Sequence, residues 1–167
     1  MANRHIVFIC TGNICRSPMA EYLFRSQAGP ECGWEASSAG IMALDGAPAS
    51  TLAVEVMREK GLDLRPHRSR GMTQELASQA DVIVTMTLSH RAQLWALYRQ
   101  LVEQKMFVLN DFDPAAAERD IADPIGSSIA VYRSSRNQID AAMPGLIAFL
   151  SDLHFEGGKP STSGNGR

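Results

Sequence analysis

The sequence has little cysteine, and its few cysteines are not paired in spacing. The chain has an odd number of cysteines, and no two of them form a CxxC pair; they are Cys10, Cys15 and Cys32. They therefore indicate neither a disulfide framework nor a zinc site built from two cysteine pairs. We expect a protein of the reducing cytoplasm that binds no metal.

Long apolar runs and an excess of one charge are also missing. The first apolar run, HIVFIC at 5–10, is too short for a signal-peptide core or a membrane span, and no later run approaches membrane-spanning length. A formal net charge of −2 gives no general attraction to nucleic acid or to an anionic membrane. Recognition of any anion must therefore be local.

Apolar runs that alternate with helical patterns predict a single α/β domain over residues 1–155. We expect a parallel sheet with right-handed crossovers and helices on both faces. The predicted strands are 4–10, 34–39, 81–86 and 106–109. The predicted helices begin at Ser17 and Pro48 and cover 88–104 and about 127–154.

Two features near the C-terminus interrupt this pattern. Pro144 and Gly145 are adjacent within the last helical segment, and we expect them to break or kink it. Residues 156–167 are rich in Gly, Ser and Pro, and we expect a disordered tail.

The turn after the first strand carries the strongest chemical signal. Neither GxxxxGK[ST] nor GxGxxG is present. Instead, five residues separate Cys10 from Arg16, and their N–H groups can curl inward around a tetrahedral oxyanion. The following helix adds its N-terminal amides, and Arg16 adds a planar fork. The predicted phosphate-binding residues are Thr11, Gly12, Asn13, Ile14, Cys15, Arg16 and Ser17.

Cys10 lies where this loop would hold an anion. A lone cysteine at a strand end is more often a small buried hydrophobe, but here it stands within a complete anion loop. Gly12 and Asn13 suit the left-handed angles of a tight loop, and Ser17 can hydrogen-bond to the sulfur. The positive field favours an anionic sulfur placed for attack at phosphorus.

The stretch VFICTGNICRSPMAE at 7–21 resembles the signature C-x-G-N-x-C-R-S-P-x-A-E of the low-molecular-weight protein tyrosine phosphatases. The resemblance covers about 4–153. It implies a four-stranded sheet of order 2-1-3-4, no cofactor, and hydrolysis of phosphorylated protein substrates through a phosphocysteine intermediate. We expect no nucleic-acid or membrane partner, and a monomer.

The resemblance also assigns a proton donor. Asp123 in IADPIGSS is by itself an ordinary Asp-Pro turn signal, but it resembles the acid loop of the family. It would protonate the leaving group and then activate the water that hydrolyses the intermediate. The predicted catalytic residues are therefore Cys10, Arg16 and Asp123.

Other residues are predicted to support the site. His67 resembles a family histidine that holds Asn13 in its strained conformation, and Ser17 supports the thiolate. Asp111 and Asp113 resemble a family segment that braces the loop region, or are solvated turn residues.

We expect the other two cysteines to play different roles. Cys15, five positions after Cys10, is expected to reach it and allow a reversible protective disulfide. Cys32 is expected to take no part in this chemistry.

The predicted substrate wall consists of Ile14, Leu44 and Ile125. These aliphatic side chains suit a phenyl ring, and they favour phosphotyrosine. However, the outer segments DGAPAS, HRSR and DPIGSSIAVY resemble the bacterial protein arginine phosphatase branch, which typically has Thr at the position of Ile14. Phosphoarginine is therefore the alternative substrate.

Two further alternatives are weaker. A thioredoxin-coupled arsenate reductase would need relay cysteines downstream, and none follows Cys32. A non-catalytic phosphate-binding module would need neither Cys10 nor Asp123.

Overall fold

The computed structural model describes residues 4–156 and shows a four-stranded parallel sheet. Its order, β2-β1-β3-β4, confirms the order that the resemblance implied. The strands are β1 Arg4–Cys10, β2 Trp34–Gly40, β3 Val82–Thr85 and β4 Met106–Val108.

Helices cover both faces of this sheet, as the sequence predicts. They are α1 Arg16–Ala28, α2 Thr51–Arg58, α3 Gln74–Gln79, α4 Leu88–Val102 and α5 Ile129–Glu156. Helix α3 was not predicted, because its 6 residues are too few to display a helical apolar pattern. Two short 3₁₀ helices, Pro30–Cys32 and Leu109–Phe112, complete the connections.

The central strand β1 explains the nearly continuous apolar run of its sequence. Ile6 and Phe8 belong to the core on the face of α1, α2 and α5, whereas Val7 and Ile9 belong to the core on the face of α3 and α4. All four side chains have 0% exposure. A strand buried on both faces cannot alternate apolar with polar residues.

The predicted break at Pro144 and Gly145 is wrong, because α5 continues from Ile129 to Glu156. Met143 and Leu146 have 0% exposure on either side of the interruption, and core packing offsets the missing backbone hydrogen bond of Pro144. Gly145 allows a close approach, since a Cβ there would lie 2.0 Å from the carbonyl oxygen of Phe112.

The C-terminal end of α5 extends to the first residue of the predicted tail. The remainder of that tail, 157–167, lies outside the described residues. Within 4–156, none of the helices has the length and apolar character needed to cross a membrane.

Candidate active site

The phosphate loop, residues 11–15, joins the carboxyl end of the central strand to α1. Cys10 is the last residue of β1, and Arg16 is the first residue of α1. The N-cap residue Cys15 makes no side-chain capping bond, so the first amides of the helix remain available to an anion. This is the edge of a parallel sheet at which ligands bind.

The sulfur of Cys10 lies within a shell of hydrogen-bond donors. Asn13 N donates to Cys10 Sγ at 3.3 Å, and Ser17 Oγ lies 2.9 Å from the same sulfur. Asn13 Nδ2 donates to Ser17 Oγ at 2.8 Å, and the alternative acceptor of the Ser17 proton, Ala39 O, is 3.5 Å away. The Ser17 hydroxyl is therefore arranged to donate to an anionic sulfur.

Asn13 holds the loop in shape through its backbone and its amide. Its φ of 56° is the only positive value among the non-glycine residues of the described chain. Its Nδ2 also donates to Ser38 Oγ at 2.9 Å, and its Oδ1 accepts from Arg70 N at 2.9 Å. His67 Nε2 donates to the carbonyl oxygen of Asn13 at 2.7 Å. Burial lowers the pKa of His67, which favours a neutral ring.

Gly40 at the end of β2 lets the loop lie directly on the sheet. A Cβ at this position would come 2.4 Å from the carbonyl oxygen of Thr11 and 2.9 Å from Asn13 N. The neighbouring amides bind the loop, because Ile41 N donates to Cys10 O at 3.0 Å and Met42 N donates to Thr11 O at 2.9 Å. Any larger residue at position 40 would displace the loop.

Arg16 links the phosphate loop to the segment that carries the predicted acid. Its side chain is 4% exposed, and Nη1 donates to Ile121 O at 2.7 Å. Its Nη2 lies 3.5 Å from Asp123 Oδ2, whose side chain is 42% exposed. Asp123 Oδ1 accepts from Ile125 N at 3.1 Å, which fixes the turn around the carboxylate.

These groups enclose a pocket of about 160 Å³. It contains all three predicted catalytic residues, Cys10, Arg16 and Asp123. Its lining residues are Cys10, Thr11, Gly12, Ile14, Cys15, Arg16, Asp123 and Ile125. Of the predicted substrate wall, Ile14 and Ile125 line the pocket, whereas Leu44 lies outside this lining and is 83% exposed.

Cys15 lines the pocket, and its sulfur belongs to a polar cluster with Ser50 and Tyr132. Its sulfur lies 3.2 Å from Ser50 Oγ and 3.3 Å from the hydroxyl of Tyr132. Burial raises the pKa of the Cys15 thiol, and burial together with the Cys15 contact raises the pKa of Tyr132 to about 12. Cys10 and Cys15 are both free thiols here, and the reversible disulfide stays a prediction.

Asp111 and Asp113 stabilise the segment that precedes the acid. Arg119 Nε donates to Asp111 Oδ1 at 2.7 Å, and Ala115 N donates to Asp113 Oδ1 at 2.9 Å. The third cysteine, Cys32, instead donates to Trp34 O at 3.4 Å.

Residues 5–154 match the family model described as low molecular weight phosphotyrosine protein phosphatase. The chain belongs to this family. It is 37% identical over 145 residues to a protein-arginine-phosphatase of Geobacillus stearothermophilus, covering 87% of this chain and 95% of that protein. It is 36% identical over 147 residues to the probable low molecular weight protein-tyrosine-phosphatase EpsP of Ralstonia nicotianae, covering 86% of this chain and 96% of that protein.

Solved structures of the phosphatase family have the same fold. The YwlE arginine phosphatase from Geobacillus stearothermophilus aligns with a TM-score of 0.82 at 34% identity, covering 94% of this chain and 99% of that chain. A Cys-to-Ser mutant of YwlE with a phosphorylated active-site serine aligns with a TM-score of 0.80 at 35% identity, covering 87% of this chain and 95% of that chain.

Sequence reasoning missed several residues that shape this phosphatase-family site. His90 Nε2 lies 2.9 Å from Thr11 Oγ1, although the two residues are 79 positions apart. The loop is also contacted by Ser38, Arg70 and Tyr132, which lie 25, 57 and 117 positions from their partners in the loop. Each is an ordinary polar residue in an ordinary sequence context, so only the folded chain identifies it.

Proposed function

We propose that this protein is a cysteine-dependent phosphomonoesterase that removes phosphate from phosphotyrosine in proteins. The observation that carries the proposal is the position of the Cys10 sulfur in one pocket with Arg16 and Asp123. This arrangement combines a nucleophile, an oxyanion clamp and a proton donor, the three groups that phosphoryl transfer to a thiolate needs.

In the first step, the thiolate of Cys10 attacks phosphorus, and the bond from phosphorus to the tyrosine oxygen breaks. Asp123 gives its proton to the departing phenolate. The loop amides and the guanidinium of Arg16 bind the equatorial oxygens as negative charge redistributes over them. The contact of Arg16 with Ile121 O at 2.7 Å holds the guanidinium in place before substrate arrives.

In the second step, the carboxylate of Asp123 takes a proton from water, whose oxygen attacks phosphorus and releases the sulfur of Cys10. Ser17, 2.9 Å from that sulfur, stabilises the departing thiolate. The phosphorylated serine of the YwlE mutant supports a covalent phosphoenzyme at the matching nucleophile position.

Ile14 and Ile125 support the assignment of an aromatic substrate. Both line the pocket, and neither side chain offers a hydrogen bond. A phenyl ring can pack between aliphatic walls, whereas a guanidinium would leave its N–H groups unpaired against them. Leu44 lies outside the pocket lining and is 83% exposed, so we expect it to contact the protein that carries the phosphotyrosine.

Phosphoarginine is the second candidate, and a specific observation favours it. The chain is 37% identical to a protein-arginine-phosphatase over nearly the whole length of that relative. Phosphotyrosine is preferred here because Ile14 belongs to the phosphate loop, lines the pocket and lacks the hydroxyl of the Thr that is typical of the arginine branch at this position.

The test compares turnover of matched phosphotyrosine and phosphoarginine peptides by the wild type and by the Ile14→Thr variant. We expect the wild type to prefer phosphotyrosine and Ile14→Thr to shift the ratio of kcat/KM toward phosphoarginine. Cys10→Ser, the control, should abolish turnover while inorganic phosphate still binds. Turnover by Cys10→Ser would refute the thiolate mechanism.

A wild-type preference for phosphoarginine would refute the substrate assignment but leave the mechanism intact. Activity should also withstand EDTA, because the mechanism needs no metal. We further infer that the protein is a monomer, which sedimentation tests. We also infer that it works in the reducing cytoplasm, where Cys10 stays a free thiol, so that activity should depend on a reductant such as dithiothreitol.

A further inference from the structure

His90 is a buried side chain outside the proposed catalytic set that contacts the phosphate loop. It lies in the first turn of α4 and is 4% exposed. Its Nε2 lies 2.9 Å from Thr11 Oγ1, and its Nδ1 is buried without a hydrogen-bond partner among the described residues. An unsatisfied nitrogen on a buried imidazole costs free energy, and each such group in a folded protein requires an explanation.

The unpartnered nitrogen decides how the ring is protonated. A proton on Nδ1 would bury an N–H donor without an acceptor, whereas a bare Nδ1 is an under-satisfied acceptor, the more tolerated of the two. Burial and the charge of Arg16 lower the pKa of His90 to about 4, so the ring is neutral at neutral pH. The single proton therefore lies on Nε2, which donates to Thr11 Oγ1.

This direction of the hydrogen bond leaves the hydroxyl proton of Thr11 free. Thr11 lines the same pocket as Cys10 and Arg16, and its side chain is exposed there. Its carbonyl oxygen accepts from Met42 N at 2.9 Å, so the backbone and the side chain of Thr11 are both fixed. A fixed hydroxyl with a free proton is a preorganised donor.

The start of α4 also positions the acid loop on the other side of the pocket. Leu88 N donates to Asp120 Oδ1 at 2.8 Å, and Ile121, the next residue, binds Arg16 through its carbonyl oxygen. The N-cap Thr87 accepts from His90 N at 3.1 Å. One helical turn therefore anchors both walls of the pocket.

We propose that His90 is a positioning residue that holds the Thr11 hydroxyl as a hydrogen-bond donor to an oxygen of the bound phosphoryl group. This inference rests on the proposed phosphatase function. It assigns to Thr11 a substrate contact through its side chain, in addition to the backbone contact expected of every loop residue.

The test is a double-mutant cycle with Thr11→Val, His90→Leu and the double variant, measured as kcat and KM for p-nitrophenyl phosphate. Each single variant should lower kcat/KM about tenfold, the upper range for one hydrogen bond. The double variant should lose no more than the worse single variant, because both break the same contact. His90→Gln, whose amide can donate to Thr11, should recover part of the loss.

Binding of inorganic phosphate, measured by calorimetry, provides a readout independent of turnover. Its Kd should rise severalfold in Thr11→Val and in His90→Leu. Thr51→Val, a matched change of another exposed threonine, should leave both kcat/KM and Kd unchanged.

Three results would overturn the proposal. These are wild-type values in Thr11→Val, a roughly hundredfold additive loss in the double variant, and no recovery in His90→Gln. Thr11→Val alone decides the matter if His90→Leu fails to fold. An inactive wild type with the expected changes in phosphate Kd would refute the proposed function, while the contact of the Thr11 hydroxyl with a bound phosphate would still hold.

Discussion

Asn13 allows the clearest separation of a backbone role from a side-chain role. The residue adopts φ 56°, and its side chain makes three hydrogen bonds, to Ser17, Ser38 and the amide of Arg70. Asn13→Ala removes the bonds and retains a Cβ. Asn13→Gly removes the same bonds but adopts positive φ without strain.

The hydrogen bonds and the backbone angle of Asn13 set the expected losses in the free energy of unfolding. Three buried hydrogen bonds at about 1 kcal/mol each contribute about 3 kcal/mol to the free energy of unfolding. The left-handed conformation adds about 1 kcal/mol to the cost of alanine. We therefore expect Asn13→Ala to lose about 4 kcal/mol and Asn13→Gly about 3 kcal/mol. Both should lower kcat at least tenfold, because Ser17 loses the donor that directs its proton toward Cys10.

Urea unfolding followed by circular dichroism measures the stability of the three proteins, and p-nitrophenyl phosphate turnover measures kcat. Asn13→Asp is a useful control, because it retains the acceptor for the Arg70 amide but places a negative charge beside the thiolate. A loss below about 1 kcal/mol in Asn13→Ala, or a glycine variant no more stable than the alanine variant, would refute this account of the loop.

Three further predictions concern other parts of the chain. Burial lowers the pKa of His90 from 6.5 to about 4, so the unfolded state binds more protons than the folded state between these two pH values. Acidification from pH 6.5 to pH 4 should therefore lower the free energy of unfolding by up to about 3 kcal/mol, measured by urea unfolding. In His90→Gln the free energy of unfolding should fall correspondingly less over the same pH range. Asp123→Asn should lower kcat/KM, which reports the first step alone, about 10²–10⁴-fold for a phosphotyrosine peptide but much less for 2,4-dinitrophenyl phosphate, whose leaving group needs no proton; equal losses of kcat/KM on the two substrates would contradict its role as acid. Gly145→Ala should lower the thermal midpoint, although the same change in an open helix raises stability by about 1 kcal/mol; an unchanged or raised midpoint would show that Phe112 moves aside at no cost.

The sequence predicts well what is contiguous. The run from Cys10 to Ser17 contains the strand end, the loop and the helix start, so its spacing alone predicts an anion site. The four strands and the main helices follow from apolar runs and periodicity in the same way. The acid Asp123 is at the limit of this reasoning, since it is an ordinary turn signal until the loop is known.

What the sequence does not predict depends on distances across the fold. The continuity of α5 through Pro144 depends on core side chains on either side of this proline, which local propensity cannot include. Likewise, nothing near Gly40 in the sequence indicates that the loop will pack so closely there that a Cβ would lie 2.4 Å from the carbonyl oxygen of Thr11. Both misses follow from tertiary packing overriding local rules.

The chemistry of this site is therefore local in sequence, whereas its rigidity is not. Cys10 and Arg16 lie on one short segment, but the groups that fix the loop come from four other places, the end of β2, the segment 67–70, the start of α4 and the start of α5. A loop with a strained residue keeps one conformation only if its surroundings over-determine it. We consequently expect substitutions at the contacts from β2, the segment 67–70 and α5 to change kcat more than KM, because they alter the fit of the loop to the transition state and leave the walls that bind the substrate ring intact.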